Sequence, residues 1–141
     1  SVVGEGMPMI YSGQEAGNEK RLEFFERDPI QWREHPIGDL YKKLFALKKA
    51  NPVLGNGPYG ATMIKVPNSN ESKIFSFVRQ NENGKVFAVF NFSTEPQSVS
   101  FSDTLYTDTY IDGLTNEGVS LKDGDTMDLP AWGYKVLVKA P

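Results

Sequence analysis

The sequence predicts a mainly β protein: an antiparallel β-sandwich of about seven to eight strands, preceded by a strand, a long loop and a helix. Three observations carry this. From residue 59 onward, short alternating stretches recur with turn dipeptides between them, Asn83-Gly84, Asp112-Gly113 and Asp123-Gly124, the rhythm of an antiparallel sandwich or barrel. The stretch before it, from residue 39, changes to helical spacing. Earlier still, Met7, Pro8, Met9, Ile10 and Tyr11 form a short apolar run bounded by Gly6 and Ser12-Gly13, the profile of a strand buried on both faces. Of the two β architectures, a sandwich with Greek-key connections is the reading adopted.

The apolar run at 7–11 lacks a setting. A doubly buried strand belongs in a parallel sheet with neighbours on both sides and helices over both faces, and no second strand–helix unit follows it. Its amide groups are therefore expected to pair with a second copy of the chain, giving a homodimer, or to fold back on the sandwich. Residues 12–36 are polar and charge-rich, longer than the roughly two to six residues of an ordinary strand–helix connection. Within them Arg27-Asp28-Pro29 is the most pointed feature, since proline biases Asp28 towards an extended conformation; an ion pair that pins the loop is the favoured reading over direct ligand contact. Trp32 reads as packing before it reads as a stacking platform.

Asp39 is the expected helix cap, with Leu40, Tyr41, Leu44, Phe45 and Leu47 as the apolar stripe and Lys48 and Lys49 at the negative end. Asn51-Pro52 stops it. The run NPVLGNGPYG then marks a boundary, dividing the chain into residues 1–54 and an all-β domain at 55–141. Strands are expected at 61–66, 73–80, 85–92, 97–101, 106–112, 126–129 and 134–139, with an eighth near 119–122. The segment 67–72, PNSNES, reads as an exposed hairpin tip. The run Val86 to Phe90 places its strand at the centre, covered on both sides, and Phe75, Phe77, Val99, Phe101, Tyr110, Met127, Val136 and Val138 are expected to complete the inner layer.

With 39% apolar and 23% charged residues the chain is globular rather than disordered. At 141 residues it is too short for a whole (β/α)8 barrel, which takes about 250. No apolar run approaches the roughly 20 residues of a membrane span, and the first residues do not read as a signal peptide. The net charge is −3 with no basic patch, so neither nucleic acid nor membrane is an expected partner. There is no cysteine and a single histidine, His35, which excludes thiolate chemistry and a histidine-rich metal centre. The cellular compartment is left open.

One stretch carries a family resemblance. GMPMIYSGQEAG is similar to the segment that ends the eighth strand of the catalytic (β/α)8 barrel in the α-amylase family of glycoside hydrolases, and RLEFFERDPIQW resembles the loop that follows it there. LYKKLFALKKANPVLGNG looks like the last barrel helix and its exit, and LPAWGYKVLVK looks like the final strand of that family's C-terminal β-domain. The resemblance runs the length of the chain in order. It implies that residues 1–54 are a strand–loop–helix remnant of the barrel, with the N-terminal catalytic barrel as the missing partner and an α-glucan as the substrate class.

A retaining glycosidase works with two carboxyl groups about 5 to 5.5 Å apart, a nucleophile and an acid/base. The resemblance puts the family's catalytic acids upstream of residue 1, so no catalytic residue and no metal ligand is expected in this chain; calcium in the parent enzyme is left open, and no cofactor is implied. Substrate contact is expected, if anywhere, from Gln14 and Glu15 at the cleft mouth and from Arg27, Asp28 and Trp32 on the loop. Arg27, Pro29, Gln31 and Trp32 match the family's Arg-x-Pro-x-Gln-Trp loop, while Asp28 stands where some members carry threonine. Two further readings compete: a starch-binding module using Trp132, Tyr106 or Tyr59, and a purely structural domain, which is favoured for the isolated chain.

Overall fold

The structure, a computed structural model, describes residues 2–141. Eight strands form the bulk of it: β1 (Met63–Lys65), β2 (Ile74–Asn81), β3 (Gly84–Asn91), β4 (Gln97–Ser100), β5 (Asp108–Asp112), β6 (Gly118–Leu121), β7 (Thr126–Leu129) and β8 (Tyr134–Lys139). Six make one sheet in the order β1-β2-β3-β8-β5-β6, and β4 and β7 make a second. Every pairing is antiparallel. After β3 the chain crosses to the small sheet and returns, so the last strand slots between β3 and β5, as the Greek-key expectation requires.

The long sheet is buried on both faces at its centre. One face, through Ile74, Val78, Phe87 and Leu137, packs on Val99 of the small sheet and on Tyr106 in the loop before β5, all buried. The other face carries Phe77, Val86, Ala88 and Val136, which meet Leu47, Val53 and Leu54 of the preceding segment. This divides the expected inner layer. Val99, Phe101, Tyr110 and Met127 lie between the sheets, whereas Phe75, Phe77, Val136 and Val138 lie on the opposite face. Strand periodicity explains the correction: successive side chains alternate, and a centre strand apolar at every position does not announce which set faces which layer.

Helix α1 (Pro36–Ala50) starts three residues before the expected cap. His35 caps it, its Nδ1 accepting from the Ile37 amide at 3.3 Å, and Pro36 occupies the first turn, where its missing amide is no loss. Leu47 near the helix end is buried while Leu40, Tyr41, Leu44 and Phe45 are only half-covered. The helix can lie this close to the sheet because residue 113 is glycine; a Cβ there would stand 2.5 Å from Leu47 Cδ1.

One local expectation is corrected: the β2–β3 hairpin turns on Glu82 and Asn83, with Gly84 already paired opposite Asn81 at φ 148°. The 67–72 segment is the expected exposed tip between the antiparallel β1 and β2, with Pro67, Ser69, Glu71 and Ser72 exposed, and Asn68 anchors it: this residue is buried, and its side-chain amide donates to Ser76 Oγ at 2.8 Å and to the Ile74 carbonyl.

Candidate functional site

The apolar run at 7–11 forms no strand among the described residues. Met7 and Met9 are each 83% exposed. No strand pairs with it among the described residues; at its end Tyr11 bonds instead to Gln14, its amide to the side chain and its carbonyl to the Gln14 amide. What folds back on the sandwich is the segment just before it. Val2 and Val3 are buried, and the Glu5 carboxylate accepts from the Met63 amide at 2.6 Å.

The clasp for this segment is Arg79 on β2, which is 1% exposed. Its guanidinium donates to four main-chain carbonyls: Ala61 at 2.7 Å, Gly4 at 2.8 Å, Gly55 at 2.8 Å and Val3 at 3.4 Å. Arginine suits this role because its five donors spread in a fixed plane. Burial pulls its pKa down, and the nearby Glu5 charge offsets part of that. Beside it, Lys48 donates to the Leu54 carbonyl at 2.5 Å and the Val2 carbonyl at 3.4 Å; burial, and then the Arg79 charge, lower its pKa. Two cations thus bind the carbonyls of segments 2–4 and 54–61 at the end of the sheet. Sequence reasoning missed Arg79, whose only signal was a charge amid the apolar run FSFVRQ.

The long loop is built from short-range bonds. A 3-10 turn (Gln14–Ala16) sits against the start of α1. The expected site residues are largely occupied in holding it. Gln14 Oε1 accepts from the Tyr11 amide at 2.9 Å, and Glu15 Oε2 accepts from the Gly13 amide at 3.0 Å. Asp28 accepts from Lys20 Nζ at 2.7 Å and from the Glu23 amide at 3.0 Å. The Lys20 hydrogen bond, helped by the Glu23 amide, holds its carboxyl below the usual range. The ion pair that pins the loop is therefore Lys20 with Asp28, and Arg27 stays exposed. Trp32 is 65% exposed, as are Phe24 and Phe25 to a greater degree, their rings edge to face at 4.6 Å.

Glu15 lines a concavity with Ile10, Arg33, His35, Tyr41 and Phe45, between this turn and α1. Arg33, unnoticed in the sequence, ties the turn to the loop's end by donating to the Ala16 and Gly17 carbonyls at 3.1 Å each. No group of three or more His, Asp or Glu side chains placed to hold a metal ion occurs among the described residues. None of their helices is long and apolar enough to cross a membrane. Of the three aromatics considered for a starch platform, Tyr106 is withdrawn: it is fully buried, its hydroxyl donating to the Lys122 carbonyl at 2.9 Å and accepting from the Gly124 amide. Tyr59 and Trp132 are 86% and 60% exposed.

The described residues thus form an antiparallel sandwich whose outer face carries the end of the helix through a shared apolar layer, with Arg79 binding the segments that lead into it. The chain belongs to the family described as the maltogenic amylase C-terminal domain, whose profile matches residues 64–136. Solved structures resemble it over nearly all its length. A noncanonic maltogenic α-amylase from Thermotoga neapolitana superposes with a TM-score of 0.81 at 19% identity, covering 99% of this chain and 34% of that one. An Anoxybacillus α-amylase gives 0.80 at 20% identity, covering 99% and 30%. The Geobacillus thermoleovorans α-amylase complexed with acarbose gives 0.77 at 20%, covering 97% and 30%. At these identities the likeness is one of fold, and the chain spans about a third of the length of the structures it matches. No curated protein matches it.

Proposed function

We propose that this chain is the C-terminal portion of an α-amylase-type glycoside hydrolase acting on α-glucans such as starch and maltooligosaccharides. The catalysis is a retaining two-carboxylate reaction whose acids lie upstream, in a barrel of which residues 1–54 supply the last strand, loop and helix; residues 55–141 form the accessory domain and serve a structural role. The observation that carries this reading is the half-covered helix: a family-matched sandwich holds α1 by Leu47, leaves Leu40, Tyr41, Leu44 and Phe45 only half-covered and leaves Met7 and Met9 exposed. In the complete enzyme that run joins a closed sheet, and Gln14, Glu15, Arg27, Asp28 and Trp32 lie along the cleft rim. In the isolated chain the same run pairs with a second copy, which sedimentation detects.

The test uses a chromogenic maltooligosaccharide. The 141-residue chain is expected to release no product, and the longer polypeptide that contains it to release product with retention of anomeric configuration. Turnover by the short chain, or none by a folded longer one, refutes the proposal. The exposed Tyr59 and Trp132 support a second reading, a starch-binding module. Affinity electrophoresis in amylopectin separates the two, since a binding module is retarded and a structural domain is not.

A further inference from the structure

Four Asn-Gly or Asp-Gly steps occur in the chain, at 56–57, 83–84, 112–113 and 123–124. Such a step is chemically reactive, because the glycine nitrogen can attack the preceding side-chain carbonyl carbon and no Cβ stands in its way. The fold restrains three of the four. The Gly113 amide donates to the Val136 carbonyl at 2.8 Å, and the buried Asp112 carboxylate is taken up by the Leu114 amide and Lys135. The Gly124 amide donates to Tyr106 Oη at 3.1 Å. Gly84 is held in the β2–β3 ladder opposite Asn81, while the Asn83 side-chain amide donates to Glu82 and its main-chain amide to Asn81 Oδ1.

The step at Asn56 is unrestrained. Asn56 is exposed, its side chain caps nothing, and its main chain is extended at φ −92° and ψ 145°. The Gly57 amide finds no acceptor among the described residues, and nothing lies within 4 Å of where a Cβ on Gly57 would stand. The peptide between the two residues is therefore free to turn until the Gly57 nitrogen faces Asn56 Cγ. What flanks this free step is tightly held. Arg79 binds the Gly55 carbonyl at 2.8 Å on one side and the Ala61 carbonyl at 2.7 Å on the other. The base of the loop is so narrow that a Cβ on Gly60 would collide with the Gly55 carbonyl.

We propose that Asn56-Gly57 is a self-modification site whose product loosens the Arg79 clasp. The Gly57 nitrogen attacks Asn56 Cγ; a C–N bond forms as the Cγ–Nδ2 bond breaks, and ammonia departs with the proton of the attacking nitrogen, leaving a cyclic imide. Water then opens the ring. Addition at Cγ gives aspartate at position 56, while addition at the main-chain carbonyl carbon gives isoaspartate, in which the chain runs through Cβ and Cγ. One water enters and one ammonia leaves, with no change of oxidation state. The isoaspartyl product adds a main-chain atom between Gly55 and Ala61, so their carbonyls no longer both meet one planar guanidinium. The grip on Gly4 weakens with them.

The 141-residue chain is incubated in heavy-oxygen water at mildly alkaline pH, folded and in urea, and peptide mass mapping follows the label entering at positions 56 and 83. In the folded chain Asn56 is expected to convert at least about tenfold faster than Asn83, since the ladder must open before Gly84 can react. In urea the two rates come together, both being Asn-Gly steps. Equal rates in the folded chain, or a faster Asn83, overturn the site; so does a gap that persists in urea, which places the preference in the sequence and not in the fold. The isoaspartyl chain, separated by ion exchange, is then compared with fresh chain by amide exchange. Residues 3–5 and Ala61 are expected to exchange faster, with the centre of β3 unchanged. Freshly purified Asn56→Asp, which carries the same charge without the added main-chain atom, should exchange like fresh chain. An isoaspartyl chain with unchanged exchange, or an Asn56→Asp variant that loosens as much, overturns the loosening.

Discussion

Replacing Arg79 with methionine tests the clasp that joins the two parts of the chain. The side chain is 1% exposed, and three of its bonds, to Ala61, Gly4 and Gly55, measure 2.7 to 2.8 Å. Bonds from a charged donor contribute roughly 1.5 kcal/mol each at the low end, so their loss removes about 4–5 kcal/mol. Methionine returns part of that, because it fills the aliphatic volume, ends the burial of a cation that has no carboxylate partner within bonding distance, and relieves the repulsion on Lys48. The net cost expected is about 3 kcal/mol, a fifth or more of the roughly 5–15 kcal/mol that stabilises a typical domain. At a urea m-value of about 2 kcal/mol/M, the unfolding midpoint falls by about 1.5 M. Amide exchange at residues 3–5 and at Ala61 rises further than at the centre of β3, since those segments lose their anchor directly. Arg79→Lys recovers only a minor part, a single ammonium being unable to reach carbonyls spread around a plane. A midpoint shift under about 0.3 M, or unchanged exchange at residues 3–5, refutes the account.

The acid limb of stability is expected to reside partly in Asp112. Burial alone raises its pKa, but the Leu114 and Thr115 amides and Lys135 Nζ at 3.1 Å outweigh this and hold the carboxyl below its ordinary value. A depressed folded-state pKa stabilises the fold above the unfolded value near 3.9 and is lost as the pH falls through the folded one. Urea midpoints of Asp112→Asn should therefore lie below wild type at pH 7 and approach it only as the pH falls below the carboxyl's ordinary range, and parallel curves would dismiss the assignment. For Gly113→Ala, the new methyl meets Leu47 Cδ1 at 2.5 Å and the Val136 carbonyl at 3.2 Å. Thermal melts should show about 1–3 kcal/mol of destabilisation, partly recovered by adding Leu47→Ala; an unperturbed single variant would mean that α1 does not rest on the sheet as described.

Much of the sandwich was legible from residue types alone. Each of the eight expected strands has an observed counterpart, with 126–129 and 134–139 matching the observed limits, because period-two alternation and turn dipeptides are local properties. Burial of β3 on both faces followed from five consecutive apolar residues. Which of two apolar faces meets which layer is not legible, and so the sequence expectation puts Phe75, Phe77, Val136 and Val138 on the wrong side of the sheet. Tyr106 misled for a related reason, since a tyrosine before a strand looks the same whether its hydroxyl meets water or, as here, the Lys122 carbonyl. In the loop, Asp28 was expected to pin the chain, and it does so with Lys20, eight residues back.

By itself the order of amino acids determined the strands, the helix stripe, the break between residues 50 and 60 and the kinship with amylases, since all of these depend on neighbours a few positions apart. Tertiary structure alone decided that a lone cation on β2 would gather carbonyls from Gly4 to Ala61, and that Val2 and Val3 would be covered while Met7 and Met9 stayed open. These are contacts between residues up to 76 positions apart in the chain, and they arise only when the sheet has brought its ends to one surface. A strand signal is written in the strand; its neighbour is not.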